Sequence, residues 1–346
     1  MKTPSLQIDC KKIAYNAKYL KKFYQTNGIK VVAVLKGVLG DICIAQTLID
    51  QGMTFFGDTN INNMKQLKAL SKDVTCMMMR SPALSEIEDV VFYSDMTLIS
   101  EIEAIYAIDL EAKKQGKIHA IILMIELGDL REGILSSNLI AFVQKIIHLK
   151  NIKIVGLGTN YACFNDFLPS DQSMKMLSEL TDKVEETFKI KLDWVSGGNS
   201  IIYDWVKESS NHYRVNQVRI GESLLCGVNS ASHLIIPELK QDAFMLYLEV
   251  IEAKKKGKKV LLDTYLSRIL LNIGKQDTDI EGFLPVDKIE IVNHSSNHVA
   301  AITKDASIHF GSVLGFGLSY NAMMMSMTSP NVNKDYMLCH PIEVNV

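Results

Sequence analysis

Several short stretches of this chain carry residue types that could do chemistry together. Lys36 follows the apolar run Lys30 to Leu35 (KVVAVL). The loop Ser196-Gly197-Gly198-Asn199-Ser200 stands directly before a short helical pattern. Arg219, Gly221 and Glu222 sit at the end of a third apolar run. Glycines let backbone approach a ligand closely, and a helix start offers free N–H groups to an anion. A strand-end lysine opposite a phosphate cup suggests pyridoxal 5′-phosphate, its aldehyde held by Lys36 as a Schiff base and its phosphate in the cup. Arg219 beside the pyridine nitrogen would keep that nitrogen unprotonated, which suits controlled α-proton exchange. Each feature also has a plainer reading. The lysine can simply snorkel to solvent. The loop can be a glycine turn capped by Asn199 or Ser200, and Arg219 can form an ion pair with Glu222 or another carboxylate.

The elements that must position these residues alternate. Asp9 can cap a helix with apolar positions at Ile13, Ala17 and Leu20. Strand-like runs follow at 30–35, 54–57, 74–79, 96–99, 118–125, 153–158, 192–195 and 217–220, with helical patterns between them such as 42–51, 101–114 and 171–188. Several runs are apolar on both faces, as strands of a parallel sheet covered by helices must be. Eight such strands are the count that closes a (β/α)8 barrel, whose sites lie at the C-terminal strand ends and whose phosphate sites recur after strands 7 and 8. The runs are followed at those ends by Lys36, Glu126 to Gly133 (ELGDLREG), Thr159-Asn160, the Ser196–Ser200 loop and Gly221-Glu222. After Leu225 the rhythm changes to strand-like runs at 243–253, 260–262, 268–273, 288–292 and 298–303, punctuated by Gly and Pro. The expected organisation is an α/β chain: a (β/α)8 TIM-type barrel over 1–230, then a smaller β-rich C-terminal domain over 231–346.

Composition narrows the function. The chain has 346 residues, 47% hydrophobic and 22% charged, with 37 Lys+Arg against 39 Asp+Glu. A packed core follows, and the near-balance of charge argues against a nucleic-acid partner. No apolar stretch approaches the ~20 residues of a membrane helix, and the N-terminus shows no signal-peptide apolar region. Six cysteines without a CxxC pair read as buried thiols of a cytoplasmic protein. Lys254 to Lys259 (KKKGKK) reads as a solvated hairpin turn. His294 and His298 are four apart, but no third metal ligand is evident, so no metal is expected.

The motifs VVAVLKGVLGD (31–41), ILMIELGDLREGI (122–134), VGLGTNYACF (155–164), VSGGNS (195–200), NQVRIGESLLCG (216–227), IGKQDTD (273–279) and LSYNAMMMSMTSP (318–330) are colinear over nearly the whole chain. With them the chain resembles the alanine racemase-like, fold-type III family of pyridoxal-phosphate enzymes, most closely its ornithine racemase branch. The resemblance implies an isomerase that moves the α-proton of an ornithine-, alanine- or basic-type amino acid. It also implies a homodimer with shared active sites. By motif, Lys36 is the Schiff-base lysine and the base on one face. Arg131 lies near the phenolic oxygen or the substrate carboxylate, Asn160 near the ring, and Arg219 at the pyridine nitrogen. Asn199, Ser200, Gly221, Glu222 and Tyr320 hold the phosphate. Two departures matter. Gly37-Val38-Leu39-Gly40-Asp41 replaces the tyrosine usual in alanine racemases proper. The segment that bears their second catalytic tyrosine is shortened around Gly257, leaving Tyr265 or His298 as candidate second bases. The alternatives are a one-base lyase or aldolase of the same fold, or a cofactor-binding regulatory protein.

Overall fold

The computed structural model describes residues 2–162, 165–230, 234–254, 267–285 and 289–337. The chain forms two compact units: Ala14–Lys36 with Gly40–Leu239, and Met1–Ile13 with Gly37–Leu39 and Lys240–Val346. It begins with strand β1 (Ser5–Asp9) and helix α1 (Cys10–Thr26). Asp9 ends the strand and starts the helix, its Oδ1 accepting the N–H groups of Lys11 (3.0 Å) and Lys12 (3.2 Å).

The larger unit is a closed barrel. Its strands are β2 (Lys30–Val34), β3 (Phe55–Asp58), β4 (Thr75–Met78), β5 (Met96–Ile99) and β6 (His119–Glu126), then the two-residue β7 (Ile134–Leu135), β8 (Ile152–Gly158), β9 (Trp194–Ser196) and β10 (Gln217–Ile220). All pair in parallel. The ring runs β2-β3-β4-β5-β6-β8-β9-β10 and back to β2, with β7 beside the end of β6. Helices α2 (Ile42–Asp50), α3 (Ile61–Leu70), α4 (Ile87–Tyr93), α5 (Ile102–Lys114), α6 (Leu139–Ile146), α7 (Asp171–Phe188), α8 (Ile202–Glu208) and α9 (Glu222–Cys226) connect the strands. Val32, Phe55, Met77, Ile122, Met124 and Val155 form one buried cluster. Strands packed on this cluster inside and on helices outside must be apolar on both faces, which is why they read as unbroken hydrophobic runs.

The smaller unit is antiparallel apart from one pairing. Strands β11 (Phe244–Lys254), β12 (Ser267–Leu271), β13 (Phe283–Pro285), β14 (Ile289–His294), β15 (Val299–Thr303) and β16 (Val313–Leu318) order as β13-β16-β11-β12-β15-β14. Helix α10 (Tyr320–Thr328) and strand β17 (Asn333–Met337) follow. β1 pairs antiparallel with β11 and parallel with β17.

The fold adds several things to the sequence reading. β1 precedes the first helix, because Leu6 and Ile8 alternate into a buried sheet face. β16 is invisible to pattern, since two glycines interrupt its alternation (VLGFGL). The expectation of buried thiols holds for Cys76 and Cys226; Cys43 is free but only partly buried, and Cys10 is not a free thiol. Cys10 is disulfide-bonded. The run 260–262, most of the 254–259 turn and Tyr265 lie outside the described residues. Among the described residues no helix is long and apolar enough to cross a membrane.

His119 opens β6, 2% exposed, its Nε2 2.9 Å from Thr97 Oγ1 on β5. Burial disfavours the imidazolium and lowers its pKa to about 4. The unfolded chain takes up this proton near pH 6.5 and the folded one only near 4, so stability rises with pH across that window. Acidification from pH 7 to 4 is expected to remove about 3 kcal/mol through this residue. In urea denaturation at stepped pH, His119→Asn should lose that part of the acid slope.

Candidate active site

Lys36 is placed by the end of β2. The Leu35 N–H reaches the Gly57 carbonyl at 3.0 Å, extending the ladder with β3 by one residue, and a single 3-10 turn starts at Lys36. The loop then turns sharply, with Leu39 at φ 54 and Gly40 at φ 64. A Cβ on Gly40 would stand 2.6 Å from that of Asn63, so the loop lies directly against α3. Asn63 in turn donates to both carboxylate oxygens of Asp58, at 3.0 Å each, and Asp58 Oδ1 also accepts the N–H groups of Thr59 and Asn60. Burial raises the Asp58 carboxyl, opposed by these hydrogen bonds and by the Lys36 charge. The exposed amine of Lys36 thus follows a braced strand end.

Arg219 lies on β10, hydrogen-bonded in register to β2 with Arg219 opposite Val32. It is 1% exposed. Its Nη1 donates to Ser196 Oγ (2.5 Å), and its Nη2 donates to the Thr159 carbonyl (2.6 Å) and to Asn160 Oδ1 (2.8 Å). All three acceptors are neutral oxygens, and they come from the ends of β8 and β9. Three hydrogen bonds from its two terminal nitrogens thus offset part of the cost of burying the guanidinium.

The loop after β9 forms a cup. Gly198 adopts φ +119, and a Cβ there would press on the Tyr161 ring at 3.0 Å. Asn199 donates to the Tyr161 carbonyl (3.0 Å) and accepts the Ile201 N–H (3.1 Å). The Oγ of Ser200 accepts from the N–H groups of Gly221 (3.2 Å) and Ser223 (3.3 Å), bringing the start of α9, where Glu222 sits, to the same cup.

The loop after β6 completes the strand-end face. Gly128 at φ +141 and Gly133 at φ +148 let the chain leave β6 and return beside it as β7. A Cβ on Gly133 would lie 2.4 Å from the Glu126 nitrogen, which only glycine avoids. Within this loop Arg131 Nη2 donates to Glu132 Oε1 at 2.8 Å, and Asn160 Nδ2 donates to the same oxygen at 3.2 Å. A continuous chain therefore runs Arg131–Glu132–Asn160–Arg219. The sequence places Thr159, Ser196 and Glu132 at strand ends but gives none of them an individual role. The first two end strands beside residues it did name, and Glu132 stands in the ELGDLREG stretch.

In the smaller unit Tyr320 starts α10, and its hydroxyl lies 2.5 Å from where a Cβ on Gly37 would stand. His298 is exposed on the turn between β14 and β15, its N–H donated to Ser295 Oγ. Among the described residues no group of His, Cys, Asp or Glu could hold a metal ion. The barrel's strand-end face offers an amine, a buried guanidinium and a glycine-lined cup suited to an anion.

A profile described as alanine racemase, N-terminal domain, matches residues 8–228. The chain belongs to this family. Relatives of this family member include the ornithine racemase of Acetoanaerobium sticklandii, 31% identical, covering 96% of this chain and 99% of that protein. The lysine racemase of Thermotoga maritima is also 31% identical, covering 96% and 98%. Among solved structures, the alanine racemase of Corynebacterium glutamicum superposes with a TM-score of 0.77 at 13% identity, covering 97% of this chain and all of that one (100%), and shares the fold.

Replacing Arg219 by Met strands three buried oxygens at once. It is expected to destabilise the protein by about 3 kcal/mol, with Arg219→Lys recovering only part, since an ammonium lacks the planar fork that reaches two strand ends. Denaturant titration of the three proteins measures the difference.

Proposed function

We propose that this protein is a pyridoxal-5′-phosphate-dependent amino-acid racemase acting on basic amino acids such as ornithine or lysine. One observation carries the reading: the buried Arg219 guanidinium, held by neutral oxygens on the strand beside that of Lys36 and two residues before the cup. The residues fit the cofactor's chemistry. The Lys36 amine suits its aldehyde, Arg219 suits a ring nitrogen kept unprotonated, and a cup that a Cβ at Gly198 would crowd suits its phosphate. When bound, pyridoxal 5′-phosphate supplies an electron-accepting ring that acidifies the α-hydrogen of an attached amino acid.

The protein's own groups then divide the work. Ser200 and the backbone of Gly221 and Glu222 would hold the phosphate, with Asn199 shaping the cup. Arg219 would place a positive charge toward the cofactor's ring nitrogen and so oppose its protonation, which suits proton exchange over side reactions. Lys36 removes and returns the proton on one face at its Nζ. Arg131 orients an anionic oxygen of the substrate or cofactor. We further take the working unit to be a homodimer, a reading supported by the exposed apolar side chains Leu284, Phe310 and Val313 on the smaller unit.

Incubation of each enantiomer of ornithine and of lysine in deuterated water, followed by chiral analysis, tests the reaction. Racemisation yields the other enantiomer carrying deuterium. Deuterium incorporated with retention marks a one-base enzyme instead, and no incorporation marks a binder. Borohydride should fix the cofactor to the peptide containing Lys36, and a label on another lysine would overturn the assignment.

A further inference from the structure

Inversion at the α-carbon needs a proton removed from one face and another delivered to the opposite face. Lys36 serves one face. Of the candidates for the other, Tyr265 lies outside the described residues, and His298 sits on a hairpin turn of the smaller unit. The barrel mouth itself holds a further candidate.

In the ring β2-β3-β4-β5-β6-β8-β9-β10, β6 lies four strands from β2 in either direction. What emerges at the end of β6 therefore stands diametrically across the mouth from Lys36. The loop that emerges there is pinned at both ends, leaving at Glu126 and returning at Ile134 opposite Ile125. Glu132 is carried on it. One carboxylate oxygen, Oε1, is anchored by Arg131 and Asn160, while Oε2 takes no hydrogen bond from any described residue. The side chain is 25% exposed. A carboxylate with one oxygen anchored and the other not hydrogen-bonded within the described residues has the geometry of a general base.

The neighbouring carboxylates are differently engaged. Glu126 accepts the Gly128 N–H at 2.5 Å. Asp129 is 2% exposed and 3.9 Å from the Arg131 guanidinium. Asp58 already accepts four hydrogen bonds.

We propose that Glu132 is the second acid/base, facing Lys36 across the barrel mouth. This rests on the racemase reading above. In one direction the Glu132 carboxylate takes the α-hydrogen as a proton, the C–H electron pair remains with the substrate–cofactor system, and the Lys36 ammonium delivers a proton to the opposite face. The turnover leaves Glu132 protonated and Lys36 neutral, which is the starting state for the other enantiomer. Exchange with solvent restores the first state.

Glu132→Gln tests this, because an amide oxygen can still accept from Arg131 and Asn160 but cannot carry the proton. The variant should fold and bind pyridoxal 5′-phosphate within about twofold of wild type, read by fluorescence titration of the cofactor-free protein. Racemisation should fall at least about 100-fold. One enantiomer should still exchange its α-hydrogen for deuterium with retention, through Lys36 alone. Glu132→Ala should behave likewise and regain racemisation with added formate. Racemisation by Glu132→Gln within about threefold of wild type overturns the proposal. So does a parallel loss of exchange for both enantiomers with the cofactor still bound, or failure of formate to rescue Glu132→Ala. A wild-type protein that racemises neither ornithine nor lysine overturns the parent reading instead, and the wild-type arm keeps the two failures distinct.

Discussion

A buried guanidinium organises the strand-end face of the barrel. Moving the Arg219 charge out of water costs several kcal/mol, which is recovered only if its N–H groups meet oxygens in good geometry. Those oxygens are the Ser196 hydroxyl, the Thr159 carbonyl and the Asn160 amide, from β9 and from the chain just beyond β8. Arg219 therefore fixes where three neighbouring strand ends stand relative to one another.

The loops around this centre are shaped by backbone conformations that side chains resist. Gly40, Gly128, Gly133 and Gly198 all sit at positive φ, and each brings the chain close to a neighbour: Asn63, Phe167, the Glu126 backbone and the Tyr161 ring. These approaches pack the Lys36 loop onto α3, return the β6 loop onto its own strand, and seat the cup beside Tyr161. Tyr161 is itself held by stacking on Phe167 and by donating to Ser173 at 2.9 Å. Rigid supports of this kind hold reacting groups in place without relying on exposed, flexible side chains.

The amide of Asn160 links two charges of opposite sign. Its oxygen faces the Arg219 cation and its nitrogen faces the Glu132 anion, so each hydrogen bond polarises the other. A flip of the amide would set like dipole ends against both neighbours, and this fixes its orientation. The Arg131 guanidinium closes the chain on the far side of Glu132. Along this chain two cations, Arg131 and Arg219, are separated by one carboxylate, Glu132.

Much of this is legible in the residues alone. Barrel strands buried on both faces must be apolar runs, and whatever follows such a run must emerge at its C-terminal end. Covalent order by itself therefore places Lys36, Arg131, Asn160, Ser200 and Arg219 on one face. The helix opened by Asp9 is equally readable, because a cap acts within three residues of chain. Other features have no local signal. β1 belongs to a sheet whose other members lie more than two hundred residues away. The contacts of Glu132 are of the same kind. Its bond to Asn160 spans 28 residues and that of Asn160 to Arg219 spans 59. Local pattern reports which face of an element is buried. Which loops then meet depends on ring closure, which sets β6 opposite β2 and β8 within reach of β10, and only the folded chain decides that.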